Sequence, residues 1–323
     1  MIKIDLKDRK ILYQLDINSR QPYSNIGKKV GLPKKNVDQR INRLIKEGII
    51  KAFYSVIDVY KLGYIIMRFH YKYQYINNEI EKEIIEYFMN DKNSVLIASC
   101  SGLYNLKVIR IIKDMNEFYN HWHNIQNKYG YYFQNRSSSL FIDEMYYDYS
   151  FLLNDIHLIK REKVTLIGRG KRFEIDDFDF QLLKNLSANS RITLYELAEI
   201  LNKPPNIIKK HIENLEKNGI IRGFRINIDI SKLGYNIFRA HVFLNDYNMR
   251  NDIINYIRCN PNLVFIYTYT GEADLEFEFY LKNINNFHEI MDNLSSKFPQ
   301  AIKNFQSLHI NNYHKFLYMP ESK

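Results

Sequence analysis

Residues 33–50 read Pro33-Lys34-Lys35-Asn36-Val37-Asp38-Gln39-Arg40-Ile41-Asn42-Arg43-Leu44-Ile45-Lys46-Glu47-Gly48-Ile49-Ile50. Val37, Ile41 and Leu44 fall at i, i+4 and i+7, one apolar stripe of an α-helix. Pro33 suits the first turn, where a missing N–H costs nothing. Gly48 ends the helix ahead of a strand pattern that runs through Ile57. Working backwards, Gly31 is the residue type that most readily takes the left-handed conformation closing a helix, so a second helix precedes it. Ile11, Leu12 and Leu15 share the face of a third. Three short helices, a tight turn between the last two, and a β-wing describe a winged helix-turn-helix.

The pattern returns 171 residues later. Asp5 matches Asp176, Asn18-Ser19-Arg20 matches Asn189-Ser190-Arg191, and Gly48-Ile49-Ile50 matches Gly219-Ile220-Ile221. Lys61-Leu62-Gly63-Tyr64 matches Lys232-Leu233-Gly234-Tyr235. Further on the offset becomes 169, with Ser101-Gly102-Leu103-Tyr104-Asn105-Leu106 facing Thr270-Gly271-Glu272-Ala273-Asp274-Leu275. The chain is a duplication of one unit. In the second copy Thr193-Leu194-Tyr195-Glu196 is a capping box. Pro22 stands at the Thr position of the first, so that helix starts without the cap. Asn202 replaces Gly31 as the helix stop, and Ile208, Ile212 and Leu215 repeat the apolar stripe.

Beyond each winged helix the pattern reads strand, helix, strand, strand, helix, strand. In the first copy these fall near 65–75, 80–88, 95–101, 106–111, 115–125 and 140–149. This βαββαβ order is ferredoxin-like, an antiparallel sheet with two helices on one face. Its uncovered face is rich in Tyr and Phe, and burial against a second such sheet is the natural solution. The expected fold class is α+β: a tandem of winged helix-turn-helix plus ferredoxin-like domain. The expected divisions are 1–57 and 174–230 for the winged helices and 58–156 and 231–323 for the ferredoxin-like domains. A charged, glycine-bearing linker at 157–173 lies between the copies.

The 323 residues carry 46 basic and 36 acidic side chains, a formal net charge of +10. That excess is local. Residues 1–57 hold 13 basic and 5 acidic side chains, whereas 174–230 hold 8 and 9, and the linker holds 6 and 1. A polyanion partner is expected for the first winged helix. No apolar run is long enough to span a membrane, and no apolar signal segment opens the chain. The two cysteines, Cys100 and Cys259, have no C-x-x-C spacing. They suggest neither a disulfide framework nor a zinc site, and a cytoplasmic location is expected.

On the first recognition helix Lys34, Lys35, Asn36, Gln39, Arg40 and Arg43 project away from the apolar stripe. Arg, Asn and Gln carry the donor patterns that read base edges, and Lys suits phosphates. Asn36, Gln39 and Arg43 are the expected base readers. Arg40 either joins them or pairs with a carboxylate such as Asp38 or Asp5. The second helix offers Asn206, Lys209, Lys210, His211 and Asn214. His121-Trp122-His123 suggests no metal site, because i and i+2 on a helix point to different faces.

With these residues in view, the sequence resembles the Lrp/AsnC family of feast/famine transcription regulators. The resemblance rests on Asp5, Asp8, Ile11-Leu12, Leu15, Asn18-Ser19-Arg20, Val37, Arg40-Ile41, Leu44, Glu47-Gly48-Ile49-Ile50 and Leu62-Gly63. Gly271 and Asp274 resemble the family's glycine–aspartate turn. The resemblance implies a DNA-binding regulator whose ferredoxin-like domains pair, here fused in tandem, and homo-oligomeric assembly. It also implies a small effector, such as an amino acid, near the turns Ser101, Gly102, Asn105 and Thr270, Gly271, Asp274. Departures from the family pattern are Pro33/Pro204 at the start of the recognition helices, His211 in place of Arg, and Asn105 in place of the turn's Asp. Sirohaem decarboxylases resemble the same family and look to depend on His, Tyr and Arg around the middle strands. Here those strands, 95–100 and 264–269, contain neither His nor Arg, so no enzyme and no cofactor are expected. An assembly module that does not bind DNA is a third alternative.

Overall fold

The computed structural model describes residues 4–153, 161, 164–168 and 170–320. The first unit contains α1 (Leu6–Ile17), α2 (Tyr23–Val30), α3 (Lys34–Lys46), β1 (Ile50–Ile57), β2 (Ile65–Tyr73), α4 (Asn78–Asn90), β3 (Ser94–Gly102), β4 (Leu106–Ile112), α5 (Met115–Tyr129) and β5 (Phe133–Tyr146). After a short β6 (Thr165–Ile167) the second unit repeats the series. It comprises α6 (Asp177–Ala188), α7 (Leu194–Leu201), α8 (Pro205–Lys217), β7 (Ile221–Ile228), β8 (Asn236–Leu244), α9 (Arg250–Ile257), β9 (Leu263–Thr270), β10 (Leu275–Leu281), α10 (Ile284–Lys297) and β11 (Ile302–Phe316).

Local chemistry sets the helix ends. Asp5 and Asp8 form a capping box on α1, and Thr193 and Glu196 form the expected one on α7. Pro22 caps α2 with no side-chain bond. Gly31 (φ 67°) and Asn202 (φ 49°) take the left-handed conformation that releases the chain into the recognition helix.

The strand expected after Gly48 forms, and its partner lies in the other unit. β1 does not fold back on its own unit; it pairs antiparallel with β7, with Tyr54 opposite Arg225 and Ser55 opposite Phe224. Each winged helix therefore completes itself with the other's strand. Cross-links at both ends match: the Asp58 N–H donates to Ile220 O at 2.8 Å and the Asp229 N–H to Ile49 O at 2.8 Å.

Each ferredoxin-like sheet has the expected four strands, ordered β3-β4-β2-β5 and β9-β10-β8-β11. The long last strand of each unit also pairs with the other unit, β11 with β3 and β5 with β9. The eight strands thus close on themselves, and β6 pairs with the part of β5 that extends past β2. Helices α4 and α5 pack outside one sheet on Phe69, Tyr71, Leu106 and Val108. Helices α9 and α10 pack outside the other on Phe277, Phe279 and Val242. Side chains of opposite parity point between the sheets.

Residues 157–160, 162, 163 and 169 of the expected linker lie outside the described residues. Its described part is anchored rather than solvated throughout. β6 pairs with β5, Arg161 donates to Pro261 O at 2.6 Å, and the Phe173 N–H donates to Lys61 O. Backbone hydrogen bonds to a sheet edge hold this segment down, which its charge alone did not reveal.

Candidate nucleic-acid interface and barrel interior

On α3, Val37, Ile41 and Leu44 are fully buried, and Lys34, Lys35, Asn36 and Gln39 are exposed. No acidic residue occupies the helix's first turn, so its free N–H groups and dipole add to the positive field there. Arg40 faces the start of α1, with Nη1 at 2.7 Å from both Asp5 and Asp8. Arg43 reaches the second oxygen of Asp8 at 2.5 Å and remains half-exposed. Arg40 therefore takes the carboxylate pairing, with Asp8 joining Asp5, and fixes α3 to α1.

On α8, Asn206, Lys209, Lys210 and Asn214 are exposed and His211 is half-buried. His211 Nδ1 lies 2.8 Å from Asp179, the counterpart of Asp8, so His211 repeats the position of Arg40. Lys209 lies 3.7 Å from Glu213 on the same face, and Glu216 is also exposed. At the 171-residue offset Pro205 and Asn206 stand where α3 has Lys34 and Lys35, and Glu213 and Glu216 stand where it has Asn42 and Ile45.

The two winged helices touch through the repeated Asn-Ser-Arg turns. Ser19 and Ser190 are fully buried against each other. Arg20 donates to Ser190 O at 2.5 Å and to Ile192 O at 3.2 Å, while Arg191 donates to Ser19 O. This contact sets the separation of α3 and α8.

The two turns expected to lie near an effector behave alike despite their sequence difference. Asn105 accepts the Tyr73 N–H at 3.0 Å, and Asp274 accepts the Leu244 N–H at 2.8 Å. An amide carbonyl does this as well as a carboxylate, so Asn105 performs the same backbone task as Asp274. Gly102 (φ 104°) and Gly271 (φ 87°) make the left-handed bends. Ser101 donates to Asn311 at 3.1 Å, and Thr270 ends β9 exposed. The residues that point inward from these turns are Tyr104, stacked 4.6 Å from His70, and Glu272, 3.2 Å from His70.

Between the sheets lies a buried charged cluster absent from the expected site. Arg68 and His70 from β2 meet Arg239 and His241 from β8, each fully buried. Glu276 binds Arg68, accepts from Arg239 at 2.5 Å and lies 3.4 Å from Lys107. Glu272 lies 2.7 Å from Arg68, and Glu278 pairs with Arg239. Burial alone would raise the Glu272 and Glu276 carboxyls. For Glu276 the Arg68 and Arg239 guanidiniums, with His241 beside them, outweigh burial; for Glu272 it is the hydrogen bond from His70 together with Arg68, and both stay well below the usual range. Burial and Arg68 push His70 down to about 4 and lower His241, so both imidazoles are neutral at pH 7. Attention to strands 95–100 and 264–269 missed this set. The available signal was Arg68/Arg239 and His70/His241, identical polar residues recurring in otherwise apolar strands. His121 is buried against Phe69 and Phe88, and among the described residues no cluster could hold a metal ion.

Comparison with known proteins agrees with this architecture. Residues 4–51 and 175–222 each match the winged helix-turn-helix DNA-binding family. The HTH-type transcriptional regulator PH0061 of Pyrococcus horikoshii is 53% identical over 62 residues, 19% of this chain and 42% of that protein. LrpB of Bacillus subtilis, also an HTH-type transcriptional regulator, is 32% identical over 102 residues, covering 31% of this chain and 67% of LrpB. Over nearly the whole chain the fold is similar to the sirohaem decarboxylase NirDL, with a TM-score of 0.64 at 13% identity, covering 97% of this chain and 94% of that one. At that identity the likeness is one of fold, and it extends to the tandem arrangement. No helix among the described residues is long and apolar enough to cross a membrane. Two winged helix-turn-helix modules and a tandem pair of ferredoxin-like domains place this chain in the Lrp/AsnC family of HTH-type transcription regulators.

Proposed function

We propose that the chain binds double-stranded DNA through both recognition helices, with α3 supplying most of the affinity and α8 less. The observation that carries this is the contrast between their exposed faces. α3 presents Lys34, Lys35, Asn36 and Gln39 in a segment of net charge +8, and α8 shares its face with Glu213 and Glu216 in a segment of net charge −1. In this reading Lys34 and Lys35 contact phosphate, and Asn36 and Gln39 reach base edges with Arg43 beside them. Asn206, Lys209, Lys210 and Asn214 make a weaker second contact, while Arg40 and His211 position their helices. Selection from random duplexes tests it: one strong half-site beside a degenerate one is expected, and recovery of a perfect palindrome contradicts the asymmetry.

The charged barrel interior and the fold shared with NirDL favour a second reading, an enzyme acting on a tetrapyrrole. We favour a regulator without catalysis, because Arg68, Arg239 and Lys107 are already neutralised by Glu272, Glu276 and Glu278. A shifted tetrapyrrole absorption band on incubation with sirohaem would reverse that preference. An amino-acid effector at the sensing turns is part of the regulator reading; isothermal titration with amino acids tests it, and heat from none of them removes it. Assembly of several chains into a homo-oligomer is tested by light scattering.

A further inference from the structure

The duplication is nearly symmetric in backbone and strongly asymmetric in buried charge. Asp16 on α1 pairs with Arg225 on β7 at 3.0 Å, with both side chains buried. Shifting by 171 residues gives their counterparts, Ser187 and Tyr54, which carry no charge. The barrel repeats the arrangement with different residues. Lys107 of the first unit corresponds to Glu276 of the second, Leu103 to Glu272 and Ile109 to Glu278. Arg68 and Lys107 therefore find their carboxylates only on the other unit.

Consider the two alternatives that the shared fold permits. If two first units paired, Arg68 and Lys107 would meet their own copies without Glu272, Glu276 or Glu278, and each Asp16 would face Tyr54. The remaining interior carboxyl on that side, Glu144, is pushed up by burial to about 8 and offers little negative charge at neutrality. If two second units paired, three carboxylates from each would face only their Arg239 and His241 residues, and each Arg225 would face Ser187. A buried charge without its partner is strongly destabilising, and either like pairing creates several. First with second is the pairing that neutralises both sites.

We propose that these two buried charge sets restrict the interface to unlike units, so that the faces of this chain accept neither their own kind nor a single-unit protein that pairs like with like. The surface involved is the β1/β7 and barrel interface, and the occupant it fits is the complementary unit. This is a device for keeping one regulator's units from mixing with those of its relatives.

Ser19 and Ser190 provide the reporter, because each is fully buried at the pseudo-twofold axis where only interface pairing can bring two thiols together. In the full-length chain, with the exposed Cys259 replaced by Ser, Ser19→Cys faces Ser190 if the units pair as proposed. It faces the same position of a second chain if like pairs with like. Unfolded chains are refolded at high concentration, oxidised and run without reductant. Ser19→Cys alone and Ser190→Cys alone should give no covalent dimer, and Ser19→Cys/Ser190→Cys should close within one chain. A substantial covalent dimer from either single variant overturns the proposal. Asp16→Ser/Lys107→Ile in the Ser19→Cys chain removes two of the first unit's three buried charges, leaving Arg68, and should raise the covalent dimer about tenfold over that chain's background, the ratio of about 1.4 kcal/mol of lost selectivity. The reciprocal exchange Asp16→Arg/Arg225→Asp keeps that buried pair complementary and should leave the dimer absent. Equal dimer from the stripped and native chains, or a dimer from the exchanged chain, also overturns it.

Discussion

The hydroxyl oxygens of Ser19 and Ser190 lie 2.6 Å apart although 171 residues separate them. Equivalent atoms of two copies meet only at a twofold axis, so this contact marks the pseudo-symmetry axis between the winged helices. Arg20 and Arg191 brace it from either side, each donating to the other turn's Ser carbonyl. Arg20→Ala and Arg191→Ala should therefore destabilise the chain by similar amounts, about 1–3 kcal/mol each, by leaving partly buried carbonyls unpaired. Urea denaturation checks this, and a loss confined to one of them would show the contact to be one-sided.

His121 predicts an acid response. Burial pushes its imidazole down to about 4, with Arg110 adding to the shift, and Nε2 has no hydrogen-bond partner among the described residues. A folded-state value below the unfolded one means that the unfolded chain binds more protons between about pH 6.5 and 4. The stability due to neutral His121 is therefore complete above pH 6.5 and lost as pH falls to about 4, at up to about 1.4 kcal/mol per unit. His121→Phe fills the same space against Phe69 and Phe88. It should remove that share of the slope while leaving stability at pH 7 unchanged or higher. An unaltered slope between pH 7 and 4 would contradict the assignment.

Glu276 holds three cations in the barrel. Glu276→Gln keeps the shape and removes the charge, leaving Arg68, Arg239 and Lys107 short of a counter-ion. A loss of about 3–5 kcal/mol in chemical denaturation is expected. A loss below about 1 kcal/mol would mean that Glu272 and Glu278 suffice.

Much of this architecture was legible in the residues themselves. The stripe Val37, Ile41 and Leu44, the stops at Gly31 and Asn202, and the alternation in 65–73 and 236–244 are local signals, and local physics decides them. What escaped was non-local. The strand after Gly48 has the same pattern whether it turns back as a wing or crosses to β7, because hydrogen-bond partners leave no mark on alternation. The barrel cluster escaped because Arg68 and His70 could as well have faced water. Only closure of the two sheets decides that parity. The exposure of Lys34, Lys35, Asn36 and Gln39 was legible from helical spacing, and the pairing of Arg43 with Asp8 was not, since it depends on how α1 crosses α3.

The central claim is that α3 dominates DNA binding, and the salt dependence of affinity tests it most directly. Each phosphate contact contributes about 0.9 to the slope of log affinity against log salt. In the full-length chain, Lys34→Ala/Lys35→Ala should reduce the slope by about 2 and weaken binding strongly. Lys209→Ala/Lys210→Ala should reduce it by less than about 1. Equal reductions from the two pairs would contradict the account.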